Sequence, residues 1–279
     1  MAPAPVRELE HGSRNTTAAT WTPFDWEDPL HGPQSKGEVV TIRTGGTTGG
    51  TLASGLWRTG PGIAGCDDDG TVDILYSAPL GDETMVLLEG SADVTATASG
   101  KKYHFKAGDI LSHPKHLDLK WRVNGPFLKK FWTIWDAAPL EGTKSDELFV
   151  GSINDNPADW TPYTWDEPCK GSQTAGELTF TRSTGSTGVL HVGLWRSGRG
   201  LPGAAADGST TFEYSSPLGD ETVMVVEGEI EIVEHENGKT HRFKGGDIFA
   251  LPSGLKVTWT SEAPFVKKFF VITNGQKSG

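Results

Sequence analysis

The 279-residue chain repeats itself, and that repetition limits its possible folds more than any other feature. Trp21-Thr-Pro-Phe-Asp-Trp26 returns 139 positions later as Trp160-Thr-Pro-Tyr-Thr-Trp165. Gly55-Leu-Trp-Arg58 returns as Gly193-Leu-Trp-Arg196, now 138 positions on, so one residue was lost in between. The same offset of 138 relates Tyr76-Ser-Ala-Pro-Leu-Gly-Asp-Glu-Thr84 to Tyr214-Ser-Ser-Pro-Leu-Gly-Asp-Glu-Thr222, and Pro126-Phe-Leu-Lys-Lys-Phe131 to Pro264-Phe-Val-Lys-Lys-Phe269. Solenoid repeats run to about 20–50 residues, so each copy here is expected to be a whole domain. A domain of about 140 residues can bury a core of its own without staples. The expected boundaries are 1–136 for the first domain with its N-terminal arm, 137–159 for a linker, and 160–279 for the second domain.

Within each copy the apolar runs are short, Thr84-Met-Val-Leu-Leu88 in one and Thr222-Val-Met-Val-Val226 in the other, and Gly, Asp, Asn and Pro bound them. Glu229-Ile-Glu-Ile-Val233 alternates with the period of a half-buried strand. With 36 Gly and 17 Pro punctuating such segments, both halves are expected to be all-β, as sandwiches or closed barrels.

The net charge of −11 argues against a nucleic-acid partner, because phosphate recognition needs a basic surface. No apolar run reaches the roughly 20 residues that span a bilayer, and the N-terminus lacks the apolar core of a secretory signal. The expectations are therefore no membrane partner and a cytoplasmic location, with Asn15-Thr16-Thr17 a chance glycosylation sequon. Cys66 and Cys169 occupy non-equivalent places in the two copies, which suits neither a disulfide framework nor a cysteine metal site.

Glu83 with Gly90, and Glu221 with Gly228, resemble the closing half of the first cupin motif. Gly108-Asp-Ile-Leu-Ser-His-Pro114 and Gly246-Asp-Ile-Phe-Ala-Leu-Pro252 resemble the opening of the second. The blocks that follow, from Trp121 to Lys130 and from Trp259 to Lys268, are similar to the branch containing ureidoglycine aminohydrolase and the ethanolamine-utilisation cupins. The resemblance spans both copies and implies two tandem cupin barrels, of double-stranded β-helix or jelly-roll form. A cupin metal is typically held by three His and a carboxylate. Here the first two histidine positions fall on Tyr76 and Ala78, and on Tyr214 and Ser216. The third falls on Leu119 and Val257, leaving one Glu per barrel. No metal and no other cofactor is expected; the competing reading recruits His113, His116 or His191.

Strand alternation would point Tyr76, Ala78, Glu83, Leu119 and Trp121 into one interior. The candidate catalytic residues are Glu83 and Glu221, as acids or bases raised in pKa by apolar walls, Tyr76 and Tyr214 as hydrogen-bond donors, and His113. His113 has no counterpart in the other copy, where Leu251 stands. Each Glu could instead form a buried structural ion pair with Lys129-Lys130 or Lys267-Lys268. Candidate ligand-binding residues are Trp57, Arg58 and Trp121, with Trp195, Arg196 and Trp259; the Trp-Arg pairs suit stacking on a ring and holding an anion. Trp26 and Trp165 are assigned to packing, and Asp67-Asp-Asp-Gly70 to a solvated turn rather than a calcium loop.

Two functions remain open. One is a metal-independent hydrolase, lyase or isomerase acting on a small molecule with these acid and base groups. The other is a bicupin that binds or senses a small molecule without transforming it. A monomer or a homodimer is expected, since two barrels in one chain can supply the pairing that single-barrel cupins obtain by dimerising.

Overall fold

The computed structural model describes residues 8–16, 21–168 and 170–276, which form 22 strands and no helix. None of them forms a helix long and apolar enough to cross a membrane. Thr17 and Cys169 lie outside the described residues, and Cys66 is a free thiol.

In the first repeat, β1 (Glu10–Ser13) is followed by β2 (Thr22–Asp28), β3 (Gly32–Arg43), β4 (Thr51–Thr59), β5 (Val72–Tyr76) and β6 (Asp82–Glu89). Then come β7 (Ser91–Ala96), β8 (Lys102–Lys106), β9 (Asp109–His113), β10 (Leu119–Val123) and β11 (Leu128–Asp136). The second repeat begins with β12 (Phe149–Ser152) and runs through β13 (Thr161–Glu167), β14 (Gly171–Arg182), β15 (Val189–Gly198), β16 (Thr210–Tyr214) and β17 (Asp220–Glu227). It closes with β18 (Glu229–Glu234), β19 (Thr240–Lys244), β20 (Asp247–Leu251), β21 (Val257–Ser261) and β22 (Phe265–Asn274). Every pairing among them is antiparallel.

Each barrel closes a seven-stranded sheet over a four-stranded one. The first has the orders β12-β9-β6-β11-β4-β3-β2 and β5-β10-β7-β8; the second has β1-β20-β17-β22-β15-β14-β13 and β16-β21-β18-β19. The small sheets alternate as half-buried strands do. In β5, Val72, Ile74 and Tyr76 face inward while Asp73 and Leu75 face out, opposite the inward Leu119, Trp121 and Val123 of β10. The large sheets are apolar on both faces because their backs pack on each other. Met85 and Leu87 of β6 belong to the first barrel's core, whereas Val86 joins Phe131, Trp135, Met224 and Phe269 in a third core between the barrels. This double burial accounts for the unbroken apolar runs.

The boundaries differ from expectation in two places. The segment 137–159 contains β12, which pairs with β9 and completes the first barrel's large sheet. The N-terminal arm contributes β1, which pairs with β20 of the second barrel. Each barrel thus takes an edge strand from the other repeat, so neither edge is left open between β9 or β20 and solvent.

A second reciprocal exchange locks the interface. Register shifts before Arg43 in β3 and before Arg182 in β14 mark bulges, a device that re-aims side chains. The Arg43 guanidinium reaches Asp220 at 3.0 Å and Arg182 reaches Asp82 at 3.0 Å, all four groups buried. Asp220 also accepts from the backbone N–H and the hydroxyl of both Thr47 and Thr48. Arg43 donates further to the carbonyl of Glu221, which ties the first repeat to the strand carrying that candidate residue.

Candidate functional site

In the first barrel β4, β5, β6, β10 and β11 bring Trp57, Tyr76, Glu83, Trp121 and Lys130 around one cavity of about 50 Å³. At its polar wall Lys130 Nζ donates to Glu83 Oε1 at 2.6 Å, lies 3.7 Å from Met85 Sδ, and sits 5.3 Å and 5.8 Å from the ring centres of Trp57 and Trp121. The indoles thus supply cation–π attraction to the ammonium, and the carboxylate supplies its counter-charge. Lysine, rather than apolar walls alone, is therefore what faces Glu83. The rest of the lining is apolar, and includes Trp26 and Trp132.

Tyr76 crosses Trp26 edge-on at 5.7 Å and His113 at 5.5 Å. Burial and then the Glu83 charge push its phenol well above the ordinary range, so it stays a neutral donor. His113 stands behind Tyr76, outside the cavity lining, with Nε2 donating to the Leu117 carbonyl at 2.6 Å. That bond fixes the proton on Nε2, and burial pulls the imidazole down to about 4.

The second barrel repeats the ion pair and fills the space. Lys268 Nζ donates to Glu221 Oε1 at 2.8 Å and lies 4.2 Å and 5.2 Å from the ring centres of Trp259 and Trp195. Burial lowers the Lys268 pKa while Glu221 pulls it back up. Where the first barrel has Ile74, the second has Phe212, stacked on Trp259 at 5.8 Å and in edge contact with Trp165, Trp195 and Tyr214. About 20 Å³ remains, bordered by Tyr163, His191, Glu221 and Lys268 among others. Tyr214 is buried there and its phenol is raised by burial and by Glu221. Trp259, stacked on Phe212, does not border this space, while Trp195 does.

Two expectations need correction. Arg58 and Arg196 do not face the interiors, because alternation that turns Trp57 and Trp195 inward turns the next residue outward. Arg58 pairs with Glu38 at 2.7 Å with its guanidinium 4.4 Å over Trp21; Arg196 pairs with Glu177 at 2.8 Å and lies 4.2 Å over Trp160. Trp26, assigned to packing, borders the first cavity.

The differences between the copies single out residues that sequence reasoning passed over. Glu167, one methylene longer than the matching Asp28, accepts from Trp165 Nε1 at 3.2 Å. Asp28 spends its oxygens on Ser77 and the Leu30 N–H, and Trp26 Nε1 is left without a partner. Trp132 is matched by Phe270, which has no N–H to satisfy. Comparing the copies position by position would have found both.

The donors around Glu83 do not form a metal-ligand set. Ala78 and Leu119 offer no lone pair, Tyr76 keeps its proton, and Glu83 is held by Lys130. Among the described residues no three His, Cys, Asp or Glu come together to hold an ion, His113, His116 and His191 included.

The EutQ-like cupin domain matches residues 77–132 and again residues 206–270. No curated protein matches the chain. A solved protein of unknown function from Pseudomonas syringae pv. tomato is similar with a TM-score of 0.63 at 16% identity, covering 96% of this chain and 100% of that one. Protein Ylba from E. coli is similar at 0.53 and 11%, covering 88% and 85%. Streptomyces albus HEPD, solved with 2-hydroxyethylphosphonate and Fe(II) bound, is similar at 0.57 and 9%, covering 98% and 77%. The two matches to the domain and the two barrels give this chain the fold of two cupin barrels in tandem.

Proposed function

We propose that the first barrel is the working site, and that it carries out metal-independent acid/base chemistry on a small molecule. The second barrel is then its structural partner. The observation that carries this reading is the cavity bordered by Glu83, Lys130 and Tyr76, set against the same pair packed under Phe212 in the other copy. In that cavity Glu83 is the proton acceptor, Lys130 holds or returns the proton, and the neutral Tyr76 hydroxyl stabilises developing negative charge on an oxygen. Hydrolysis, elimination and isomerisation all need these roles.

Screening a metabolite library by thermal shift and by product formation tests it. Ile74→Phe, which copies the second barrel, is expected to abolish ligand binding. Glu83→Gln is expected to keep binding and to lose about 10²- to 10⁴-fold in turnover. The second reading, a bicupin that binds without transforming, draws on the Glu221–Lys268 pair, which forms in a barrel with hardly any room for a substrate. A ligand that binds to the wild type, is left unchanged, and binds equally to Glu83→Gln would establish that reading instead.

A further inference from the structure

The second barrel carries a ring that the first leaves out. Phe212 lies stacked on Trp259 at 5.8 Å and 14°, with Trp165, Trp195 and Tyr214 edge-on at 5.2, 6.4 and 6.1 Å. All four neighbours recur unchanged in the first barrel as Trp121, Trp26, Trp57 and Tyr76, and all four border its cavity. Their arrangement recurs as well, since Tyr76 meets Trp26 at 5.7 Å and 89° and Tyr214 meets Trp165 at 5.6 Å and 89°. The ring at the centre of the set is what changes, to Ile74.

The indoles left behind have lost ring partners. Among the described residues Trp57 meets no other aromatic ring and Trp121 meets only Phe105, tilted at 6.5 Å, whereas Trp195 and Trp259 meet both Phe212 and each other. Phe249, a further ring against Trp259, is matched by Leu111. Faces without neighbours forfeit dispersion contacts, and isoleucine and leucine cannot supply the stacked and edge-on geometry that one ring offers another. The first cavity is also open at its mouth, where Phe24 and Val39 of its wall are partly exposed. A ring can therefore be held there by its walls without being enclosed, as Phe212 is while only partly buried. Charge adds a condition: Glu83 and Lys130 neutralise each other at 2.6 Å, so the wall has no net charge to offer a ligand.

We propose that the first cavity takes a small molecule bearing an uncharged, flat aromatic ring, which seats among Trp26, Trp57, Tyr76 and Trp121 as Phe212 does among their counterparts. Because Glu83 and Lys130 border the same space, a group attached to that ring comes up against the ion pair. This rests on the first cavity being the working site, and it adds the class of the substrate.

The test is an NMR titration of the full-length protein with benzyl alcohol, with cyclohexylmethanol, which carries the same heavy atoms on a puckered saturated ring, and with xenon, which fills an apolar cavity without needing a flat face. Benzyl alcohol is expected to give nuclear Overhauser contacts to the ring protons of Trp57 and Trp121, and to bind at least about threefold more tightly than cyclohexylmethanol. Ile74→Ala, which clears more of the place that Phe212 fills, is expected to tighten benzyl alcohol by about threefold or more. Ile74→Phe, copied from the second barrel, is expected to weaken it at least about tenfold and to exclude xenon. Xenon binding without benzyl alcohol binding leaves the cavity reading standing and overturns the ring proposal, as does cyclohexylmethanol binding as tightly as benzyl alcohol, or benzyl alcohol contacts that miss both indoles. Failure of xenon and benzyl alcohol alike, or binding of both that survives Ile74→Phe, overturns the cavity reading too.

Discussion

Replacing Arg43 by alanine is expected to cost about 3–5 kcal/mol of stability at pH 7, measured by chemical denaturation, because it leaves the Asp220 carboxylate buried opposite no charge. Arg58→Ala is the control. The Arg58–Glu38 pair has comparable geometry, but its side chains are 32% and 25% exposed, and its loss is expected to cost less than about 1 kcal/mol. The pH dependence follows from Asp220, whose burial would raise its pKa but is outweighed by Arg43, by N–H donors such as that of Ser253, and by the threonine hydroxyls, so that it lies below the ordinary value. A depressed carboxylate contributes stability that is present above its unfolded pKa, near 4, and is lost as pH falls through the folded one. Without Arg43 the burial of Asp220 is less opposed and its carboxyl titrates higher than in the wild type, so the difference between wild type and Arg43→Ala is expected to shrink as pH falls through the variant's raised value and on through the wild type's depressed one.

His113 sets a separate window. Its imidazole titrates at about 4 in the folded protein because burial disfavours the charged ring, against about 6.5 unfolded. The unfolded chain binds the extra proton between these values, so stability is full above about pH 6.5 and declines as pH falls towards 4. The whole decline amounts to about 3 kcal/mol. His113→Leu, which places the second barrel's Leu251 in the first, is expected to remove this slope and leave the loss below pH 4 intact. A variant as steep as the wild type between pH 6.5 and 4 would mean that the histidine is not buried in its neutral form.

The barrels were legible because a repeat of about 140 residues with short strands admits few architectures, and because pleat alternation turned Tyr76, Ala78, Glu83, Leu119 and Trp121 toward one interior. The same alternation should have excluded Arg58, which directly follows an inward Trp. Arg43 and Asp220 gave no local signal, since their partnership spans 177 positions and two domains. The cavity was hidden for another reason. Matching blocks reveal what two copies share, whereas the cavity comes from what they do not: Ile74 against Phe212, Asp28 against Glu167, Trp132 against Phe270. Volume and hydrogen-bond satisfaction at those positions depend on neighbours from distant strands, which no spacing encodes.

The edge strands β1 and β12 correspond across the repeat, with Gly12-Ser13 matching Gly151-Ser152, and each leaves its own repeat to complete the other barrel. A polypeptide holding one repeat would need a second molecule to supply its missing edge, and two such molecules would have to embrace. Gene fusion turns that encounter into an event within one chain, at an effective concentration set by the tether instead of by expression level. Cutting the present chain between Asp136 and Phe149 would undo the fusion. The two fragments should each be prone to aggregate alone and should reassemble when mixed, a ready-made split protein whose halves recognise each other by trading arms.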